Sequence, residues 1–142
     1  MDPTFLTELR TLAALAADAL EGRASLARDA DSYQAAEVAD VAANAFRALA
    51  TLASKCLDGE RARLEEAVTQ AEARCDEADA DFGTWDRAAA MAHDRHYLTP
   101  DDRARIVARM QSAEGELEEA HRALDAARKA LAAFDAATKG GE

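Results

Sequence analysis

The chain has 142 residues, a net charge of −11 with a pI near 4.7, and 49% apolar residues, of which few are aromatic. One helical domain spanning 1–142 is expected from that length. The charge excludes a general affinity for nucleic-acid phosphates or anionic lipid surfaces and suits a basic partner. Alanine, the best helix former and a poor core filler, supplies most of the apolar share, and no segment alternates β-branched or aromatic residues with polar ones. The expected class is therefore all-α, with slim helices that approach closely.

Asp2-Pro3 sets a capping carboxylate before a proline at the first helical position, and Leu6, Leu9, Ala13, Ala16 and Leu20 continue a helical apolar stripe as far as Gly22. A first helix of about 3–21 follows. The polar segment 23–31 reads as a loop with a helical turn. Asp31 or Ser32 caps a second helix, about 32–57, which is apolar on more than one side. Val38, Val41, Ala45, Leu49, Leu52 and Cys56 form one stripe, and Ala42, Phe46, Ala50, Ala53 and Leu57 widen it. So broad an apolar face belongs inside a bundle or at an oligomer interface. Asp58-Gly59 reads as a tight turn or as a kink in a continuous helix.

The next stretch steps by fours and threes through Leu64, Val68, Ala71, Cys75, Ala78, Phe82, Trp85, Ala89, Ala92 and His96, the seam of a coiled coil. Thr99-Pro100-Asp101-Asp102 supplies a capping hydroxyl, a proline at the first helical position and acids in the first turn. The seam resumes at Ile106, Met110, Ala113, Leu117, Ala120, Leu124, Ala127, Leu131 and Phe134, and fraying is expected from 139 to 142. The architecture so predicted is a four-helix arrangement built on a long antiparallel coiled-coil hairpin, about 60–97 and 100–138. A connection this short fixes the register. It pairs Val68 with Ala127, Ala71 with Leu124, Cys75 with Ala120, Phe82 with Ala113 and Trp85 with Met110, so that large side chains meet small ones. At 1.5 Å per residue the hairpin is roughly 55 Å long, more than the shorter first two helices can cover. Either the tip projects or a second copy of the chain covers the remainder.

The same register aligns two acidic clusters: Asp76, Glu77, Asp79 and Asp81 on one arm, and Glu114, Glu116, Glu118 and Glu119 on the other. Asp79 faces Glu114 and Asp81 faces Glu116 where hairpins usually place opposite charges. Either Arg47, Lys55 or Arg122 lies alongside and offsets the repulsion, or the band docks a basic partner or a divalent cation. Phe82, Trp85 and Met91, with Tyr97 and Leu98, would form an apolar docking surface at an uncovered tip.

Catalytic and metal frameworks are weak. Glu118-x-x-His121 occurs once, where carboxylate-bridged di-iron bundles use such elements in pairs. His93 and His96, three apart, suit the last turn of a helix and its dipole. Arg87 and His93, spaced as Arg-x5-His, resemble the signature of helical HEPN ribonucleases, with Ala88 where a polar residue usually follows the arginine. Cys56 and Cys75 fall at apolar helical positions and read as buried thiols. No cofactor or metal is expected, nor a leader or a membrane span, which places the chain in the cytoplasm. The leading expectation is a non-enzymatic interaction protein, an adaptor, assembly chaperone or scaffolding subunit acting through coiled-coil packing, with a homodimer as its expected state. The alternatives are an acidic inhibitor that occludes a basic nucleic-acid-binding surface and, more remotely, a helical nuclease using Arg87 and His93.

Overall fold

The computed structural model describes residues 2–94 and 98–139, apart from the side chains of residues 93 and 94. The described residues are almost entirely α-helical and form no strand. The helices are α1 (Pro3–Asp29), α2 (Tyr33–Asp94) and α3 (Pro100–Lys139). None of them is long and apolar enough to cross a membrane.

Helix α1 begins as the sequence predicts: Asp2 accepts a hydrogen bond from the Thr4 amide at 2.9 Å, and Pro3 occupies the first turn. It does not stop at Gly22. The segment 23–29 is helix, because Ala24 is fully buried and Arg28 forms an ion pair with Asp40 of α2. One small side chain thus carries the buried face through a polar stretch. The helix ends in a Schellman turn. Asp31 lies at φ 56°, the Ser32 amide donates to the Ala27 carbonyl at 2.8 Å, and the Asp31 amide donates to the Arg28 carbonyl at 3.1 Å. Asp31 therefore closes α1, while the Ser32 carbonyl accepts from the Ala36 amide at 3.1 Å and starts α2.

The two expected helices 32–57 and 60–97 are one helix. Asp58 and Gly59 lie inside α2, and Gly59 does not adopt positive φ. A glycine inside a helix costs about 1 kcal/mol relative to alanine, too little to break a long helix whose neighbours on both sides are packed. The expected helix end at 97 lies outside the described residues, as does the expected fraying of residues 140–142.

The chain divides into two compact units. Unit 1 holds residues 1–63 and 132–142, and unit 2 holds residues 64–131. In unit 1 the pairs Arg28–Asp40 and Arg47–Glu21 tie α1 to α2, the later residue of α1 meeting the earlier residue of α2, as in helices that run in opposite directions. Its buried side chains are mostly alanines: Ala13, Ala17 and Ala24 on α1, and Ala36, Ala39, Ala43 and Ala53 on α2, with Leu6, Thr7, Leu57 and Phe134. Of the broad apolar face read on α2, Ala53 and Leu57 are buried and Leu49 is half-buried, whereas Val38, Val41 and Leu52 are exposed, and Cys56, expected to be a buried thiol, is an exposed one. Alanine faces win this contact because they let two backbones approach closely along their whole length, which bulky β-branched side chains prevent.

In unit 2, Ala71, Cys75 and Leu124 form a buried cluster against which Val68, Ala120 and Ala127 pack, the layers that the predicted register places there. Cross-helix pairs follow the same order: Glu72 meets Arg128 at 2.9 Å, and Asp81 meets Arg109 at 3.2 Å. Partners on α3 fall in number as those on α2 rise. The start of α3 is a reciprocal capping box: the Asp102 amide donates to Thr99 Oγ1 at 3.2 Å, while the Thr99 amide and hydroxyl donate to Asp102 Oδ2 at 3.3 and 2.7 Å.

Candidate functional site

Asp81 and Glu116, expected to oppose each other as like charges, are instead bridged by Arg109. That guanidinium reaches Asp81 Oδ2 at 3.2 Å and Glu116 Oε1 at 3.0 Å, and lies 6.0 Å from the centre of the Trp85 ring. Trp85 Nε1 donates to Asp81 Oδ1 at 3.2 Å, and Ser112 Oγ donates to Glu116 Oε1 at 3.1 Å. One cation thus holds two carboxylates and an aromatic face in a single cluster. The pairs are exposed enough for solvent to screen them, so each contributes at most about 1 kcal/mol. The neutralising residue is Arg109, and not Arg47, which pairs with Glu21 in unit 1. Two turns of α3 separate Arg109 from Glu116, a span only a long side chain lying along the helix bridges. Pairing residues level with one another in the register does not reveal it.

The remaining acids are less organised. Asp76, Asp79 and Glu114 are exposed. An open cavity of about 750 Å³ on this side of unit 2 is lined by Arg74, Glu77, Asp81, Arg109, Glu116 and Glu119 among others. Its two arginines interrupt the carboxylates, so it presents mixed charge and not a uniform acidic band. Among the described residues no group of three or more histidine, cysteine or acidic side chains is placed to hold a metal ion.

Phe82, Trp85 and Leu98 are half-buried, while Tyr97 lies outside the described residues. Trp85 is thus an anchor shared between its own helix and Arg109, while Met91 on α2 and Val107 on α3 stand exposed. Arg87 directs its Nε to the Gly83 carbonyl of its own helix at 2.9 Å, and the side chain of His93 lies outside the description. Glu118 and His121 are both exposed on α3.

Among the described residues, Asp102 is the titratable group whose surroundings shift it clearly. The hydrogen bonds from the Thr99 hydroxyl and amide, followed by nearby Arg105, hold its carboxyl below the usual aspartate range, against a small opposing effect of desolvation. This effect belongs to the cap of α3 and stabilises the turn.

A larger apolar feature lies in unit 1. Leu12, Leu15 and Leu26 of α1 and Val38, Val41 and Leu52 of α2 stand in solvent at helical spacing. Sequence periodicity marked those of α2, as a face for a bundle interior or an oligomer interface, and did not mark those of α1. No protein-family model matches the chain, and no curated protein or solved structure is similar to it.

Proposed function

We propose that the chain is a non-enzymatic helical interaction protein, an adaptor, assembly chaperone or scaffolding subunit working in the cytoplasm. In this reading it acts by packing helices against helices, with residues 64–131 as an antiparallel coiled-coil hairpin. The observation that carries the reading is the row of large aliphatic side chains left in water on α1 and α2. Contiguous exposed apolar surface of this kind marks a binding surface more often than an accident of folding. The hairpin supports it from the other side, since its seam is filled by its own side chains and leaves its flanks for contact.

The alternative of an acidic inhibitor draws less support, because Arg109 and Arg128 sit among the carboxylates that such a mimic would present. Cross-linking in the producing cells, followed by mass spectrometry of the isolated adducts, tests the proposal. A stoichiometric protein partner with cross-links concentrated on the helix faces is expected. Recovery of the chain without any such partner would remove the adaptor reading.

A further inference from the structure

Gln34, Val38, Val41, Ala45, Ala48, Leu52 and Lys55 follow one another on α2 in alternating steps of four and three, and all seven are exposed. They lie on the opposite side of α2 from the buried Ala36, Ala39 and Ala43, at 3.6 residues per turn. Helix α2 thus carries a further coiled-coil seam, one that its own chain leaves in solvent. Helix α1 repeats the stripe 26 positions earlier, as Leu12, Leu15, Ala19, Gly22 and Leu26, but its ends differ. Glu8 stands where α2 has Gln34, Thr11 where α2 has Glu37, and Asp29 where α2 has Lys55. The stripe of α2 therefore has an apolar middle with an acid near one end and a base at the other, and that of α1 does not.

We infer that this outer flank of α2 packs against the same flank of a second copy of the chain, the two α2 helices running in opposite directions about a two-fold axis. Setting Val41 opposite Ala45 of the other copy places Val38 opposite Ala48 and Leu52 opposite Gln34, and the two-fold makes each of these contacts twice. Both valines then meet alanines, and Leu52 meets the flexible stem of Gln34, so bulk on one helix enters space on the other.

The same register brings Lys55 within reach of Glu37 of the other copy. Their backbones stand about six residues apart along the axis, roughly 9 Å at the rise of an α-helix. Helical side chains lean toward the N-terminus of their own helix, and in an antiparallel pair that lean carries these two toward each other. Both are exposed, and neither is paired within its own chain among the described residues. Two such pairs close the seam at its two ends. A parallel pair of α2 helices would instead stack valine on valine and Lys55 on Lys55. Packing α1 on α1 in the equivalent register would set Glu8 against Leu26 and offer no lysine. Charge complementarity thus selects α2 and the antiparallel direction. Val38, Val41 and Leu52 expose 66%, 65% and 58% of their surface. With their neighbours they cover roughly 500 Å² per copy, short of the ~800 Å² of a standard interface, so the dimer is weak and comes apart at low micromolar concentration.

The inference rests on the interaction-protein reading and names one partner for it, but it is tested apart from any other partner. Sedimentation equilibrium of the full chain, from low micromolar to submillimolar concentration, is expected to show a monomer–dimer equilibrium. Val41→Glu sets two carboxylates beside the two-fold axis and is expected to weaken the dimer roughly 100-fold, with helix content unchanged by circular dichroism. Lys55→Glu and Glu37→Lys each turn two attractions into repulsions and are expected to weaken it about 10-fold, and the two together, with the charges exchanged, to restore it. Leu15→Glu, on the outer flank of α1, is expected to leave it intact. A monomer throughout the range, a dimer indifferent to Val41→Glu, one weakened by Leu15→Glu, or an exchange of charges that fails to restore it would overturn the inference. The adaptor reading fails by a different result, the absence of a cross-linked partner, so the two failures remain distinguishable.

Discussion

Unit 1 closes its helices on alanines and leaves leucines and valines in water, whereas unit 2 turns its large side chains toward its own seam. Val68, Phe82, Trp85, Ile106, Met110 and Leu117 are half-buried there, and Leu124 is buried beside Ala71 and Cys75. The lesson concerns what each contact is for. An alanine face gives close approach and little hydrophobic stabilisation per residue, so a pair built on it gains much by covering its outer leucines. A seam of alternating large and small residues is complete as soon as its two helices meet.

The largest expected effect separates these two uses of leucine. Leu124→Ala removes a buried side chain from the densest layer of unit 2 and is expected to cost about 3 kcal/mol by urea denaturation. Leu26→Ala removes one that stands in solvent in unit 1, and measured where the chain is monomeric it is expected to cost under ~0.5 kcal/mol. Equal losses would mean that the outer face of unit 1 is already covered within a single chain.

Close approach in unit 1 can be attacked directly. Ala24 has no exposed surface, and the register brings it level with Ala43, itself buried. Ala24→Leu adds volume where the helices have no room, and a loss of about 2 kcal/mol in thermal or urea unfolding is expected. An unchanged midpoint would show that the alanine contact yields readily and that small size is not what holds α1 on α2.

The turns differ as the units do. Between α1 and α2 the chain reverses on backbone hydrogen bonds and a left-handed Asp31; before α3 it relies on the reciprocal box of Thr99 and Asp102. Thr99→Ala is expected to cost about 1 kcal/mol. Its pH dependence has a definite sign. The carboxyl of Asp102 is held below its ordinary value, so the folded state binds its proton less readily than the unfolded chain. That contribution is complete above the ordinary aspartate pKa of about 3.9 and is lost as pH falls through the lowered folded value. The stability gap between the wild type and Asp102→Asn should therefore be constant at neutral pH and shrink in acid. A gap that persisted in acid would assign the effect to something other than the ionised carboxylate.

Much of this organisation was legible in the sequence where a local signal and a long-range pattern agreed. Asp2-Pro3 and Thr99-Pro100 opened helices as capping chemistry requires, and the seam steps placed Ala71 with Leu124 and Cys75 in the layer beside them. Reading failed where one apolar pattern admitted two solutions. On α2, both the valine stripe and the alanine stripe satisfy helical periodicity, and only the partner helix decides which one is buried. Periodicity therefore left the valine stripe to a bundle interior or an oligomer interface, and its expectation of a buried Cys56 is the part the structure overturns. The cation that offsets Asp81 and Glu116 was not legible for a related reason. Arg109 reaches along α3 to bridge them, and a pairing rule that considers only residues level with one another cannot see that reach.

Gly59 gives the smallest effect and tests why a turn signal was overruled. An added Cβ there meets no atom within 4 Å, and the residue sits in helical conformation inside α2. Nothing in the folded chain requires glycine, so Gly59→Ala should raise stability by roughly 0.5–1 kcal/mol, largely by restricting the unfolded chain. The same substitution in a real turn, where positive φ is needed, would lower stability instead. The sign of the change in urea midpoint therefore decides between one continuous α2 and two helices joined at Asp58-Gly59, and a loss would restore the broken helix that the dipeptide first suggests.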